Sequence, residues 1–134
     1  MAYNNRKNKN TMFKRTVKLG YLESDRFEWA DLLSLLTEVK FNIININLTV
    51  KKSEAELNGN GYAPIGFVNK FYNNEEGEYL FDVAIFDKFK EVVESWEDTE
   101  NSELIISARV FTNKENKITK IIGLDLRLVE VETE

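Results

Sequence analysis

Alternation of apolar and polar residues is the feature that most constrains this chain. In residues 41–52 (FNIININLTVKK), every second position from 44 to 50 is isoleucine, leucine or valine. A period of two predicts a strand with one buried face and one polar face. Comparable runs predict five further strands, at residues 12–22, 63–72, 78–86, 103–112 and 118–131. Short turns such as NNEEG and NKENK separate several of them, so we expect a mostly antiparallel sheet.

Two helices interrupt the strands. Residues 26–39 carry apolar side chains at helical spacing, and Asp25 stands where it can cap the first turn. A shorter helix is predicted over residues 87–96, with Asp87 as its cap. The predicted order is therefore strand, helix, three strands, helix, two strands.

This order fits an oligonucleotide-binding (OB) barrel if the early helix splits the first strand. Such a barrel has five strands, and a helix commonly lies between the third and fourth. We therefore expect a mainly β protein, a five-stranded OB-fold barrel with a helix between strands 3 and 4 and an inserted helix after the first strand segment. Residues 1–11 are polar and aperiodic, which predicts a disordered basic tail, and residues 12–132 are expected to form a single OB-fold domain.

The chain contains no histidine and no cysteine, which removes several kinds of chemistry. Imidazole-based triads, histidine zinc sites, disulfides and thiolate metal sites are excluded. Glu75, Glu76, Glu78 and Asp82 are close in sequence, but acids in a loop are usually solvated, so we expect no metal site. No glycine-rich phosphate loop or nucleophile elbow is present, and we expect neither enzyme activity nor a cofactor.

Charge is unevenly distributed along the chain, although its net value is −5. Residues 1–18 contain lysines and arginines and no acid, whereas residues 87–103 are strongly acidic. A local basic surface matters more for nucleic-acid binding than the net charge. No apolar run approaches the roughly 20 residues that span a bilayer, so we expect a cytoplasmic protein without a membrane partner.

Three segments resemble the bacterial and phage-type family of single-stranded DNA-binding proteins. The segment MFKRTVKLGYLESD is similar to the family's opening strand, with Leu19, Gly20 and Leu22 at its glycine motif. The segment EYLFDVAIFDKFKEVVESW resembles the third strand of the family, which runs directly into a helix. The segment ELIISARVFTNKENKITKI resembles a later hairpin, and the similarity extends over residues 12–131 in order.

Two departures from the family pattern are visible. The helix at 29–39 lies where the family has a short turn, and residues 130–134 (EVETE) lack the hydrophobic tip of the family's acidic tail. A version of the family from a phage or mobile element would tolerate both. The resemblance implies a non-catalytic, sequence-tolerant single-stranded DNA-binding protein that supports replication or recombination. It also implies a homo-oligomer in the cytoplasm of a bacterial host, with replication or host proteins as further partners.

Single-strand binding needs cations for phosphates and aromatic rings on which bases stack. The resemblance and the strand pattern place such residues on one sheet face. The predicted nucleic-acid-binding residues are Lys14, Arg15, Lys18, Lys70, Tyr72, Tyr79, Phe86, Arg109 and Phe111. Phe67, Phe81 and Phe89 are interpreted instead as core residues.

Two other functions stay open from the sequence. A phage-encoded inhibitor of a host nuclease or defence complex would bind a protein, with the acidic residues 87–103 imitating phosphates. A small nuclease is the weaker alternative, because the chain has no histidine and no metal-carboxylate motif.

Overall fold

A computed structural model describes residues 11–22, 25–41, 46–54 and 57–131. The predicted tail at residues 1–10 and part of the predicted strand 41–52 lie outside these ranges. The strands are β1 (Met12–Leu19), β2 (Ile46–Lys51), β3 (Tyr62–Asn73), β4 (Tyr79–Phe86), β5 (Ser102–Thr112) and β6 (Ile118–Glu130). The helices are α1 (Trp29–Glu38) and α2 (Lys90–Glu97), and a 3₁₀ turn at Asp87–Phe89 precedes α2.

The strands form a closed barrel in the order β1-β4-β3-β2-β6-β5, so the prediction of a mainly β barrel is confirmed. The pairs β1–β4, β4–β3, β3–β2 and β5–β6 are antiparallel. Two short parallel pairings, β1 with β5 and β2 with β6, close the ring. Because the barrel is closed, each of its strands has a neighbour on both sides, and the unpaired edges that favour aggregation are removed.

The prediction of five strands is wrong, because β1 and β2 are not two halves of one strand. In the ring, β4 and β3 lie between them on one side, and β5 and β6 on the other. The segment containing α1 is therefore a crossover from one side of the barrel to the other, and not an insertion within a strand. As a result, α2 lies between the fourth and fifth strands of this barrel.

The two helices close opposite ends of the barrel. Lys18 at the end of β1 pairs with Leu80 at the start of β4, whereas Met12 pairs with Phe86. The segment that leads to α1 therefore starts at one end of the barrel, and the segment that leads to α2 starts at the opposite end. Buried side chains from both helices join the core, namely Leu32 and Leu36 from α1 and Val93 from α2. Within the described ranges, neither helix is long and apolar enough to cross a membrane.

Asp25 does not cap α1 as predicted. The helix begins at Trp29 with Glu28 in the cap position, and no side chain there accepts a hydrogen bond. The Asp25 carboxylate accepts the backbone N–H of Leu22 at 2.8 Å. Burial raises the pKa of Asp25, and the Leu22 hydrogen bond works against that rise.

Two bulges in β3 decide which of its side chains point outward. Leu48 pairs with Gly66 and Thr49 with Pro64, which leaves Ile65 as an extra residue. A second irregularity leaves Asn69 without a partner between the pairs Val68–Val83 and Lys70–Asp82. Each extra residue reverses the in–out alternation of the strand that follows. The inward side chains of β3 are Ile65, Val68 and Phe71, and the outward ones are Phe67, Lys70 and Tyr72.

We expect Gly66→Ala to lower the free energy of unfolding by roughly 1–3 kcal/mol, the usual effect of overpacking. A Cβ atom at Gly66 would lie 2.0 Å from the Ala84 carbonyl oxygen, so the β3–β4 pairing would have to shift. Chemical denaturation measures the loss. Gly77→Asn is the control, since nothing lies within 4 Å of its Cβ position and asparagine tolerates the positive φ of 83°. Equal losses in both variants would contradict the close approach at Gly66.

Candidate nucleic-acid interface

The outward side chains of three neighbouring strands form one continuous surface, which we call the β1–β4–β3 face. The central strand β4 pairs with both neighbours: Ala84 with Lys14 and Phe67, Asp82 with Thr16 and Lys70, and Leu80 with Lys18 and Tyr72. Phe86 extends the face beyond Ala84 along β4. Antiparallel partners point to the same side of a sheet, so register alone brings these side chains together.

An open groove of about 600 Å³ runs over this face. Its walls include Lys14 and Thr16 from β1 and Asn69 and Lys70 from β3, and Asp82 of β4 lies between them. The Thr16 hydroxyl donates to Asp82 Oδ1 at 2.9 Å, and the Tyr72 hydroxyl donates to the same oxygen at 3.2 Å. The groove is therefore cationic on both sides, with a fixed carboxylate in the middle.

Three aromatic rings, those of Phe67, Phe86 and Tyr72, lie on the same face beside the groove but do not line it. Phe67 and Phe86 meet edge to face, with ring centroids 5.8 Å apart. The Lys70 ammonium lies over the Tyr72 ring, 4.8 Å from its centroid. All three rings are half-buried. This arrangement resembles a stacking platform, in which rings are held in place by the sheet and offered to a flat ligand.

The prediction that Phe67 is a core residue is wrong. Its side chain lies outside because the bulge at Ile65 reverses the alternation before it. A signal for this was present in the sequence, since a glycine inside a strand, here Gly66, often accompanies a bulge.

Two of the predicted cations of β1 are already engaged by acids of the protein. Arg15 donates from Nε to Glu97 Oε2 at 2.9 Å and from Nη2 to Oε1 at 3.3 Å. This hydrogen-bonded carboxylate raises the pKa of Arg15 above its ordinary value. Lys18 Nζ lies 3.2 Å from Glu103 Oε2. Arg15 and Lys18 thus attach β1 to α2 and β5, and of the three predicted β1 cations only Lys14 has no acid partner within the described ranges.

Tyr79 lies away from the β1–β4–β3 face. It shares its side of β4 with the buried Phe81 and stacks on Phe71, with centroids 5.8 Å apart and planes inclined by 13°. Its ring packs against the core. We therefore leave it out of the proposed surface.

Arg109 lies on another side of the barrel, in a polar cluster that spans four strands. Its Nε donates to Asp125 Oδ2 at 2.7 Å, and its guanidinium covers the Tyr62 ring at 3.7 Å. Thr49 donates to Asp125 and accepts from Arg109. Asp125 is only 2% exposed, so Arg109 supplies the charge that this carboxylate needs. The geometry assigns Arg109 a structural contact.

Phe111 is 58% exposed and pairs with Lys120 near the tip of the β5–β6 hairpin. It is the most exposed large apolar side chain of the described residues, but it does not belong to the β1–β4–β3 face. The structure therefore brings together Lys14, Lys70, Tyr72 and Phe86 from the predicted set and adds Phe67. Lys18 lies on the same face and Arg15 lines the groove, but both are paired with acids of the chain. Tyr79, Arg109 and Phe111 lie elsewhere.

Comparisons with known proteins identify no relative: no family model, no curated protein and no solved structure matches the chain. Among the described residues, no group of three acidic side chains is placed to hold a metal ion. The geometry of the β1–β4–β3 face therefore carries the functional argument.

We expect Arg109→Met to lower the free energy of unfolding by about 3 kcal/mol, because it leaves Asp125 buried without its cation. The double variant Arg109→Met/Asp125→Leu should recover about half of that loss or more, since it removes both charges. Chemical denaturation of both variants measures the difference, with the exposed Lys120→Met as the control. A fully stable Arg109→Met variant that has lost nucleic-acid binding would show that Arg109 serves binding and not stability.

Proposed function

We propose that this chain is a non-catalytic protein that binds single-stranded DNA with little sequence dependence, through its β1–β4–β3 face. The observation that carries the proposal is that lysines and aromatic rings share one sheet face. Lys14 and Lys70 line an open groove on it, and Phe67, Phe86 and Tyr72 lie on the same face beside that groove. The closed, mainly β barrel that carries this face is compatible with an OB-like fold.

A single strand fits this chemistry better than a duplex. Lysines attract phosphates and release counterions, an effect that is independent of sequence. Aromatic rings stack on bases, each contact contributing about 1–3 kcal/mol, but only where the base faces are unpaired and accessible. The face supplies both kinds of contact within three adjacent strands, and a sheet holds them at fixed spacing.

The resemblance to single-stranded DNA-binding proteins supports a role in replication or recombination. By the same resemblance, the protein serves a phage or mobile element in a bacterial host and works as a homo-oligomer. The OB fold with its five-strand count is not part of this proposal, which uses only the closed barrel and its face.

The competing proposal, a protein-binding inhibitor that imitates phosphates, would use the acidic segment. Glu97 and Glu103 of that segment pair with Arg15 and Lys18 of the same chain, which leaves fewer of its acids open to a partner. These two acids connect β1 to α2 and β5. The DNA proposal is the one with a continuous surface of matching chemistry.

Lys14→Gln/Lys70→Gln should weaken binding of a labelled oligothymidine and reduce its dependence on salt. For single strands the slope of log K against log salt is about −0.7 for each phosphate contact, so losing two contacts should change the slope by about 1.4. Fluorescence anisotropy across a salt series gives both quantities.

Lys51→Gln/Lys90→Gln is the matched control, because it makes the same change in net charge at exposed lysines outside the face. It should leave the slope nearly unchanged. An identical loss of slope in both double variants would assign binding to the overall charge and contradict the proposed groove. No binding by the wild-type protein at low salt would rule out the proposed function.

Phe67→Leu and Phe86→Leu should each weaken binding by about 1–3 kcal/mol, because leucine has no π-face on which a base can stack. The salt slope should stay the same, since no cation is lost. The same anisotropy titration measures this, and circular dichroism checks that each variant is folded. Phe111→Leu is the control, and a loss confined to Phe111→Leu would move the interface to the β5–β6 hairpin.

A further inference from the structure

We infer that Asp82 adds a base preference to this otherwise sequence-tolerant groove, favouring bases with an exocyclic amino group such as cytosine over uracil and thymine. This inference rests on the proposed function, because it concerns the same groove. It concerns the one acidic side chain in a surface otherwise suited to phosphates.

Asp82 is held in place on one oxygen only. Thr16 and Tyr72 both donate to Oδ1, which fixes the orientation of the carboxylate from strands on either side. No donor of the described chain reaches Oδ2. A fixed carboxylate with one unengaged oxygen is a preorganised acceptor for a hydrogen-bond donor on a ligand.

The lysines on either side do not neutralise Asp82. In the parts of the chain that the structure describes, no ion pair joins it to Lys14 or Lys70, although Lys70 is its direct partner across β3–β4. The Lys70 ammonium lies over the Tyr72 ring instead. The groove therefore has lysines that can bind negative groups and a carboxylate that can bind a hydrogen-bond donor. An interface for phosphate alone would not need the carboxylate.

Nucleotides contain both kinds of group. Phosphate oxygens only accept hydrogen bonds, so they match the lysines and repel Asp82. The N4 amino group of cytosine donates to Asp and Glu side chains in other nucleic-acid complexes. Uracil and thymine have a carbonyl oxygen at the same position, which would face the carboxylate without a proton between them. A base stacked by the neighbouring rings would thus be accepted or rejected at this position.

The test compares oligodeoxycytidine with oligodeoxyuridine of equal length, near neutral pH and at one salt concentration. These two bases differ at the 4-position and at N3 and in no methyl group. The wild-type protein should bind the cytidine strand about tenfold more tightly, the size of one hydrogen bond to a charged group. Equal affinities would overturn the inference while leaving the proposed function intact.

Asp82→Asn should reverse the preference. Its amide oxygen can still accept from Thr16 and Tyr72, which places the amide N–H₂ where Oδ2 was and offers a donor to the uracil carbonyl. Overall affinity should rise, because a negative charge leaves the groove. Glu115→Gln, in the β5–β6 turn, is the control with the same charge change, and it should not alter the cytidine-to-uridine ratio.

Thr16→Val provides a second variant in case Asp82→Asn does not fold. It removes one of the two donors to Oδ1 without changing charge, so the ratio should fall towards one while the salt slope stays unchanged. A ribose 2′-hydroxyl is a further donor that could reach Asp82. If the protein binds oligocytidine RNA more tightly than oligodeoxycytidine, but binds cytidine and uridine strands equally, then the sugar is recognised and the base inference fails. If no strand binds, the proposed function fails and the inference with it.

Discussion

The structure depends on closing a twisted sheet with two very short parallel pairings. β1 meets β5 at only two residue pairs, and β2 meets β6 at only two. Between these junctions, longer antiparallel ladders carry most of the backbone hydrogen bonds. The core is sealed only if both junctions hold, because Ile106 and Leu124 lie at them and are fully buried. Because β1 and β2 are not neighbours in the ring, the chain must cross from one side of the barrel to the other between them, and α1 lies in this connection.

Polar side chains reinforce the same two junctions. Lys18 of β1 pairs with Glu103 of β5 across the first, and Arg15 beside it reaches Glu97 of α2. At the second, Thr49 of β2 bonds Asp125 of β6, which also holds Arg109 of β5. Three of the cations that sequence reasoning offers to DNA therefore fasten the barrel. Lys14 and Lys70 lie on the antiparallel β1–β4–β3 sheet, away from both junctions, and no acid of the described chain engages them.

Sequence reasoning predicted the elements well and their arrangement less well. Alternation located every strand to within a few residues, since period two is a local property of the chain. The order of strands around the ring is not local, so treating β1 and β2 as one strand gave five strands in place of six. The placement of individual site residues also depends on features that are not local in sequence. Phe67 faces outward because of a bulge at Ile65, and Arg109 is occupied by Asp125, which is distant in sequence, so neither outcome follows from spacing alone.

The net charge of −5 limits how much electrostatic attraction can contribute to the affinity if this face binds a polyanion. Two lysines without acid partners can release few counterions, so phosphate contacts alone would give weak binding with a shallow salt dependence. Stacking on Phe67, Phe86 and Tyr72 is less sensitive to salt and would have to supply most of the affinity. A carboxylate in such a groove lowers the affinity for any nucleic-acid strand, because it repels the phosphates. Asp82 links β4 to β1 and β3 through Thr16 and Tyr72 on one oxygen and offers the other to a base, so we assign it to discrimination and not to affinity.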